Sequence, residues 1–206
     1  MQTSHTPINN EKRARQLLLQ ATMGFKSNDL KNVLEAGSVE SWIESQTNVF
    51  RTSLVNRQKE MQSLHHNQGW SDVHFDVAYT DMLLNRNDIL RHRISYVLTQ
   101  LFVVSSNNPV LKNNERKIAI AEYYDTLSRH CFSDFKTLLL EMSQSPVMGQ
   151  YLTYLNNDHV DGTPPDENFA REIMQLFTLG PSLLRMDGTV IHQSDGSPSC
   201  LTPKRT

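Results

Sequence analysis

The residues best placed to do chemistry lie late in the chain, in the stretch ENFAREIMQLFTLG. Projected at 3.6 residues per turn, Asn168, Arg171, Glu172 and Gln175 share one narrow stripe, and Phe169, Ile173, Leu176 and Phe177 fall on the opposite side. A carboxylate, a guanidinium and two amides on one face define a possible site. Arg171 would orient an anionic group, Glu172 would act as general base or metal ligand, and Asn168 would donate a hydrogen bond. The same residues also make sense as structure. A polar face set against other helices must find hydrogen-bond partners, and Glu167 sits four residues before Arg171, the favourable ion-pair spacing. Ion-pair networks mimic sites often enough to tip the balance toward structure.

Other constellations are weaker. Asp158, His159 and Asp161 form a D-H-x-D cluster whose oxygens and imidazole could ligate a divalent cation. One short loop supplies too few ligands for a closed site, so solvated loop polarity is the expectation. His65, His66 and His74 lack H-E-x-x-H or any other zinc spacing and are expected at the surface. His130 follows Arg129 at the end of a predicted helix, where a cation complements the helix dipole. Cys131 falls on an apolar face and is expected as a small core residue. Ser128 and Ser133 lie near His130, but no G-x-S-x-G elbow supports a hydrolase triad. Tyr123, Tyr124, Tyr151 and Tyr154 recur at helical spacing, as core or boundary residues do, and no cofactor signature is evident.

The elements that must position these groups read as helices. Asn10 can cap a helix carrying Ala14, Leu17, Leu18 and Ala21, with Gly24 as its stop. Ser27 opens a helix with Leu30, Val33 and Leu34 on one face, closed by Gly37. Ser38 starts a third, with Trp42 and Ile43 expected inside. Leu54, Met61 and Leu64 lie on a long polar helix reaching toward Gly69, and Val73, Val77 and Leu84 are the expected apolar positions of a helix from Trp70 to Asn85. The strongest stripe is Leu90, Ile94, Val97, Leu98, Leu101 and Val104, with Arg91 and Arg93 flanking its first turns. Past the loop-forming SSNNPVLKNN, helical spacing resumes at Ile120, Tyr124, Leu127 and Cys131. Ser133 is the expected cap of a helix with Phe135, Leu138, Leu139 and Met142, and Ser145-Pro146 opens one through Met148, Leu152 and Leu155. The last helix spans Asp166 to Leu179 and stops at Gly180-Pro181. No stretch alternates with period two between hairpin turns. The expected fold is all-α, a multi-helix array with short connections, covering 9–180, followed by an irregular tail, 181–206.

Composition narrows the function classes. The chain has 206 residues, 20 Lys plus Arg against 22 Asp plus Glu, a net charge of -2 and a hydrophobic fraction of 38%. Near-neutral charge argues against a surface built to hold nucleic acid. Two cysteines make neither a disulfide framework nor a four-thiolate zinc site. No apolar run approaches the roughly 20 residues of a membrane span. The start, MQTSHTPINNEKRARQLLLQ, has no secretory-type apolar core, so a cytoplasmic setting is the default expectation.

The final helix, with SPVMGQYLTYLNN before it, resembles the bacterial DUF-1800 family, whose pattern is approximately P-A-M-x-x-Y-L, a loop, then N-E-N-F/Y-A-R-E-L/I-M/L-E-L-F-T-L-G. Pro146, Met148, Tyr151 and Leu152 match the first part. Glu167 to Met174 and Leu176 to Gly180 match the second, with departures at Asp166 and Gln175. ARQLLLQATMGF, the segment from Gly37 to Ile43, LRHRISYVLTQLFVVS and YYDTLSRHCFSDFKTLLLEMS resemble further family segments in the family's order. The resemblance runs from about Glu11 to Gly196 and implies a mostly helical fold, frequent export from bacteria, and no proven catalytic residue, cofactor or substrate. It also implies a chain that continues further.

After DGTVIHQSDGSP the family pattern leads to Y-T-Q-x-D-V, whereas this chain reads SCLTPKRT. Degenerate codons for Ser199 onward, read from the third base, permit V-P-Y-T-Q-A-D. The last eight residues, 199–206, are therefore expected to be an out-of-frame read ending a truncated product, with no functional weight on Cys200, Lys204 or Arg205. Without downstream helices, Phe169, Ile173 and Phe177 are expected to stand exposed. The expected function is a non-catalytic helical module, acting with a protein partner in an exported bacterial system. The alternative is a hydrolase or metal-assisted enzyme using Asn168, Arg171 and Glu172, completed by residues further on.

Overall fold

The computed structural model describes residues 6–64, 72–105, 117–158 and 167–200. Among these residues the chain is a helical array with no β-strand, only isolated bridges. In order, the helices are α1 (Glu11–Ala21), α2 (Ser27–Ala36), α3 (Val39–Thr47), α4 (Leu54–Leu64), α5 (Asp72–Asn85), α6 (Ile89–Leu101), α7 (Lys117–His130), α8 (Phe135–Ser143), α9 (Pro146–Tyr151) and α10 (Asn168–Met174).

Local chemistry sets most helix starts. Asn10 accepts a hydrogen bond from the Arg13 amide at 2.9 Å, and Ser38 accepts one from the Ser41 amide at 3.1 Å. α8 is capped by Asp134, which accepts from the Thr137 amide at 2.9 Å, one residue beyond the expected Ser133. Ser145 caps α9 with Pro146 in its first turn. Gly37, at φ 71°, ends α2 in the left-handed conformation that a side chain would resist. α1 ends earlier than Gly24, at Thr22 in extended conformation, where the Thr22 hydroxyl donates to the Leu18 carbonyl. An N-terminal segment clamps the α2–α3 turn: the Ile8 amide donates to the Gly37 carbonyl at 2.9 Å and the Val39 amide to the Thr6 carbonyl at 3.1 Å.

The helices enclose three apolar clusters. The first joins Ala14 and Leu18 of α1, Val33 of α2, Trp42 of α3 and Ile89 and Leu90 of α6. The second joins Leu54 and Met61 of α4, Ala78 and Met82 of α5 and Ala121 and Tyr124 of α7. The third joins Phe102, Tyr123 and Leu127 of α7, Leu138 and Met142 of α8, and Val147, Met148 and Leu152 with Phe177. Phe102 follows directly on α6, which thereby links the first and third clusters. α7 turns Ala121 and Tyr124 to one cluster and Tyr123 and Leu127 to another, so α6 and α7 form the hub.

Several faces differ from the sequence expectation. Val73, Val77 and Leu84 of α5 are exposed, and the helix buries His74, Ala78 and Met82 instead. α5 carries apolar groups around most of its circumference, so periodicity could not choose the side. Ile43, Leu64, Val97 and Leu155 are likewise exposed. Arg91 is buried rather than flanking, and α9 ends at Tyr151, short of Leu155.

Past Gly180 the chain makes two similar turns. Asp187 accepts from the Thr189 amide at 3.0 Å and Asp195 from the Ser197 amide at 2.9 Å. The Leu183, Ile191 and Ser199 amides donate in a closed ring to the carbonyls of Ser199, Leu183 and Ile191.

Candidate functional site

α10 brings Asn168, Arg171 and Glu172 onto one side, as their spacing requires, but leaves them near solvent. Arg171 is exposed and pairs with the equally exposed Glu167, while Asn168 and Glu172 are half-buried. An exposed pair one turn apart contributes only a few tenths of a kcal/mol. The opposite face is anchored. Phe169 stacks on Tyr154 with ring centroids 3.8 Å apart, and Phe177 meets Phe102 edge to face at 5.0 Å. Phe177 is 7% exposed, and Phe169 and Ile173 pack against the same cluster. The expectation that this face stands exposed is therefore overturned: α8, α9 and the end of α6 supply its partners.

From Gln175 to Leu179 the helix widens into a π turn. The Gly180 amide reaches back to the Gln175 carbonyl, and the Thr178 hydroxyl donates to the Ile173 carbonyl at 2.6 Å. The wider turn shifts the register, so Leu176, expected on the apolar face, is 65% exposed while Phe177 points inward.

The other sequence candidates do not gather into a site. Asp158 is exposed; His159 and Asp161, with His65 and His66, lie outside the described residues. Among the described residues, no group of three or more His, Cys, Asp or Glu could hold a metal ion. His74, expected at the surface, is 3% exposed on the inner face of α5. His130 does end α7, where its Nε2 lies 3.9 Å from Glu141 and its Nδ1 lies 3.4 Å from the Ser133 hydroxyl. Cys131 is half-buried, and burial raises its thiol pKa despite the Arg91 guanidinium nearby.

The densest polar arrangement is one the sequence reading passed over. Asp88, Arg91, His92 and Ser95 fall on one stripe of α6 at i, i+3, i+4, i+7 spacing, and all four are buried. Asp88 accepts from the Thr52 amide at 2.8 Å and the Thr52 hydroxyl at 2.9 Å, and lies 3.1 Å from His92 Nε2. The Tyr124 hydroxyl and His92 Nδ1 are 3.4 Å apart. Burial alone would raise the Asp88 pKa, but hydrogen bonding and charge from His92, with the Thr52 bonds, bring it down to about 2. Arg91 donates to the Ser128 carbonyl at 2.8 Å and lies over Phe132, 4.6 Å from the ring centre. The negative end of α7 and the ring face thus stand in for a carboxylate.

Asp125 of α7 acts as a remote cap for α4. It accepts from the Leu54 amide at 2.7 Å, the Val55 amide at 3.2 Å and the Ser53 hydroxyl at 2.6 Å, with Arg51 Nη1 at 3.3 Å. Asp88 and Asp125 tie the 51–55 segment to α6 and α7 through these bonds. Their chemistry is cohesion. The signal for it was present as a polar stripe inside an apolar helix.

Among the described residues, no helix is long and apolar enough to cross a membrane. No curated protein and no solved structure matches the chain. The family model described as a protein of unknown function, DUF1800, matches residues 16–195, which include the stripe of α6, the remote cap and the whole of α10. The chain therefore belongs to the DUF1800 family.

Proposed function

We propose that the chain is a non-catalytic helical module of the DUF1800 type that works by holding a protein partner. The observation carrying this reading is the apolar rim of α10 and its π turn. Met174, Leu176 and Leu179 are exposed there, and Leu140, Leu155 and Phe135 are exposed on the elements that share its core. Met174, Leu176 and Leu179 fall within six residues of one another on the same helical segment, and contiguous exposed apolar groups mark interaction surfaces. The polar stripe of Asn168, Arg171 and Glu172 beside them would form the rim that fixes orientation.

The test pairs two variants. Leu176→Glu with Leu179→Glu should abolish capture of the partner from the native source while leaving the urea midpoint within about 0.5 kcal/mol of wild type. Glu172→Ala should change neither metal content nor any ligand-induced thermal shift. A cation or ligand bound by the wild type and lost in Glu172→Ala would refute the reading in favour of metal-assisted catalysis. The out-of-frame origin of residues 199–206 belongs to the same proposal and rests on codon arithmetic alone. Gene sequence lacking Y-T-Q in the neighbouring frame would overturn it.

A further inference from the structure

Far from α10, the turn between α1 and α2 faces the turn between α5 and α6 across a cleft of about 290 Å³. Its walls include Gly24, Lys26, Asn28 and Asp29 on one side and Arg86 and Asn87 on the other. Lys26 Nζ reaches across to donate to the Asn85 side-chain carbonyl at 3.1 Å, a neutral acceptor. Arg93 lies beside the same turn, with its Nη1 3.5 Å from the Met23 sulfur, a weak acceptor for a guanidinium.

The carboxylates at and beside this cleft each accept hydrogen bonds from within the chain. Asp29 takes the Lys26 amide at 2.7 Å. Asp81 accepts from Arg57 Nε at 2.8 Å and from the Asn85 side-chain Nδ2 at 2.9 Å, and pairs at longer range with Arg86 Nη2 at 3.6 Å. The Nε–H of Arg86 is buried with no hydrogen-bond partner, an arrangement that costs free energy until an acceptor arrives. At the back wall, α6 begins at Ile89 without a side-chain cap, because the Asp88 carboxylate is turned to Thr52 and His92. Ile89 at the start of that helix lines the cleft, and the next amide, that of Leu90, already donates to Gln46 Oε1 at 3.5 Å.

Two lining cations, Lys26 and Arg86, outnumber the one lining carboxylate, Asp29, and with the unspent Nε–H of Arg86 they suit one ligand chemistry. The volume corresponds to about ten waters, sufficient for a compact oxyanion. We infer that the cleft between Lys26 and Arg86 binds a small free oxyanion of the phosphate-monoester or carboxylate class. This assignment is independent of partner docking at α10.

The experiment titrates the full chain with inorganic phosphate at constant ionic strength, following amide shifts of Gly24, Lys26 and Ile89 by NMR. Saturable shifts at these amides are expected below about 20 mM, with affinity about tenfold weaker in Lys26→Gln and weaker again when Arg86→Gln is added. Lys31→Gln removes an exposed cation of α2 that pairs with Glu35 outside the cleft, and it should bind as wild type does. Should the Arg86 variant not fold, Lys26→Gln decides alone, since Lys26 is exposed and makes one surface hydrogen bond. Absent saturation, or equal weakening by Lys31→Gln, would overturn the assignment. Sedimentation with phosphatidylcholine vesicles containing phosphatidic acid separates a lipid headgroup from a free ion. Vesicle capture without any response to inorganic phosphate would also overturn it.

Discussion

Replacing Asp88 by Asn keeps the size and shape of the side chain and removes its charge. In the folded chain the carboxylate is 1% exposed and accepts both the amide and the hydroxyl of Thr52, with His92 Nε2 at 3.1 Å. Its pKa is held at about 2, below the ordinary 3.8. A group whose folded pKa is depressed contributes stability that is fully present above its unfolded pKa and disappears as pH falls through the folded value. The window is therefore pH 4 down to pH 2. Nearly two pKa units correspond to about 2 kcal/mol of pH-dependent stability. The Asn amide also turns an NH2 toward groups that donate, adding roughly 1–3 kcal/mol of frustrated hydrogen bonding. We expect the variant to lose about 3–4 kcal/mol at pH 7, measured by urea unfolding. Other depressed carboxylates, Asp81 among them, destabilise both proteins in acid, so the decisive quantity is a difference of differences. The gap between wild type and Asp88→Asn should narrow by about 1.5 kcal/mol between pH 5 and pH 2.5. Parallel curves, or a variant within about 0.5 kcal/mol of wild type at pH 7, would show that Asp88 does not tie Thr52 to α6 as described.

Two further substitutions probe the packing. Asp125→Ala leaves the Leu54 and Val55 amides and the Ser53 hydroxyl without their acceptor and should cost about 3 kcal/mol, with proteolysis beginning in the 51–55 segment; a loss under about 1 kcal/mol would argue that Ser53 caps α4 unaided. Phe177→Ala empties the contact with Phe102 and should cost about 3–4 kcal/mol by urea midpoint, while Leu176→Ala, one residue away, should stay within about 0.5 kcal/mol; equal losses would mean that the π turn does not set the register in solution.

What the sequence determined by itself were properties set over a few residues. Asn10, Ser38, Ser145-Pro146 and Gly37 act through hydrogen bonds and backbone angles reaching no further than one turn, so the helices and most of their boundaries follow from local reading. The spacing that places Asn168, Arg171 and Glu172 on one side of α10 is of the same kind. Tertiary structure decided which faces went inside. α5 could have buried Val73 and Val77 or Ala78 and Met82, and only the presence of α4 and α7 selects the latter. It also chose which polar groups became structural. Asp88 and Asp125 cap and tie partners 36 to 72 residues away in sequence, a distance at which no periodicity carries information. The π turn belongs with them, because seating Phe177 against Phe102 while Leu176 turns outward requires a register that an unbroken α-helix does not supply.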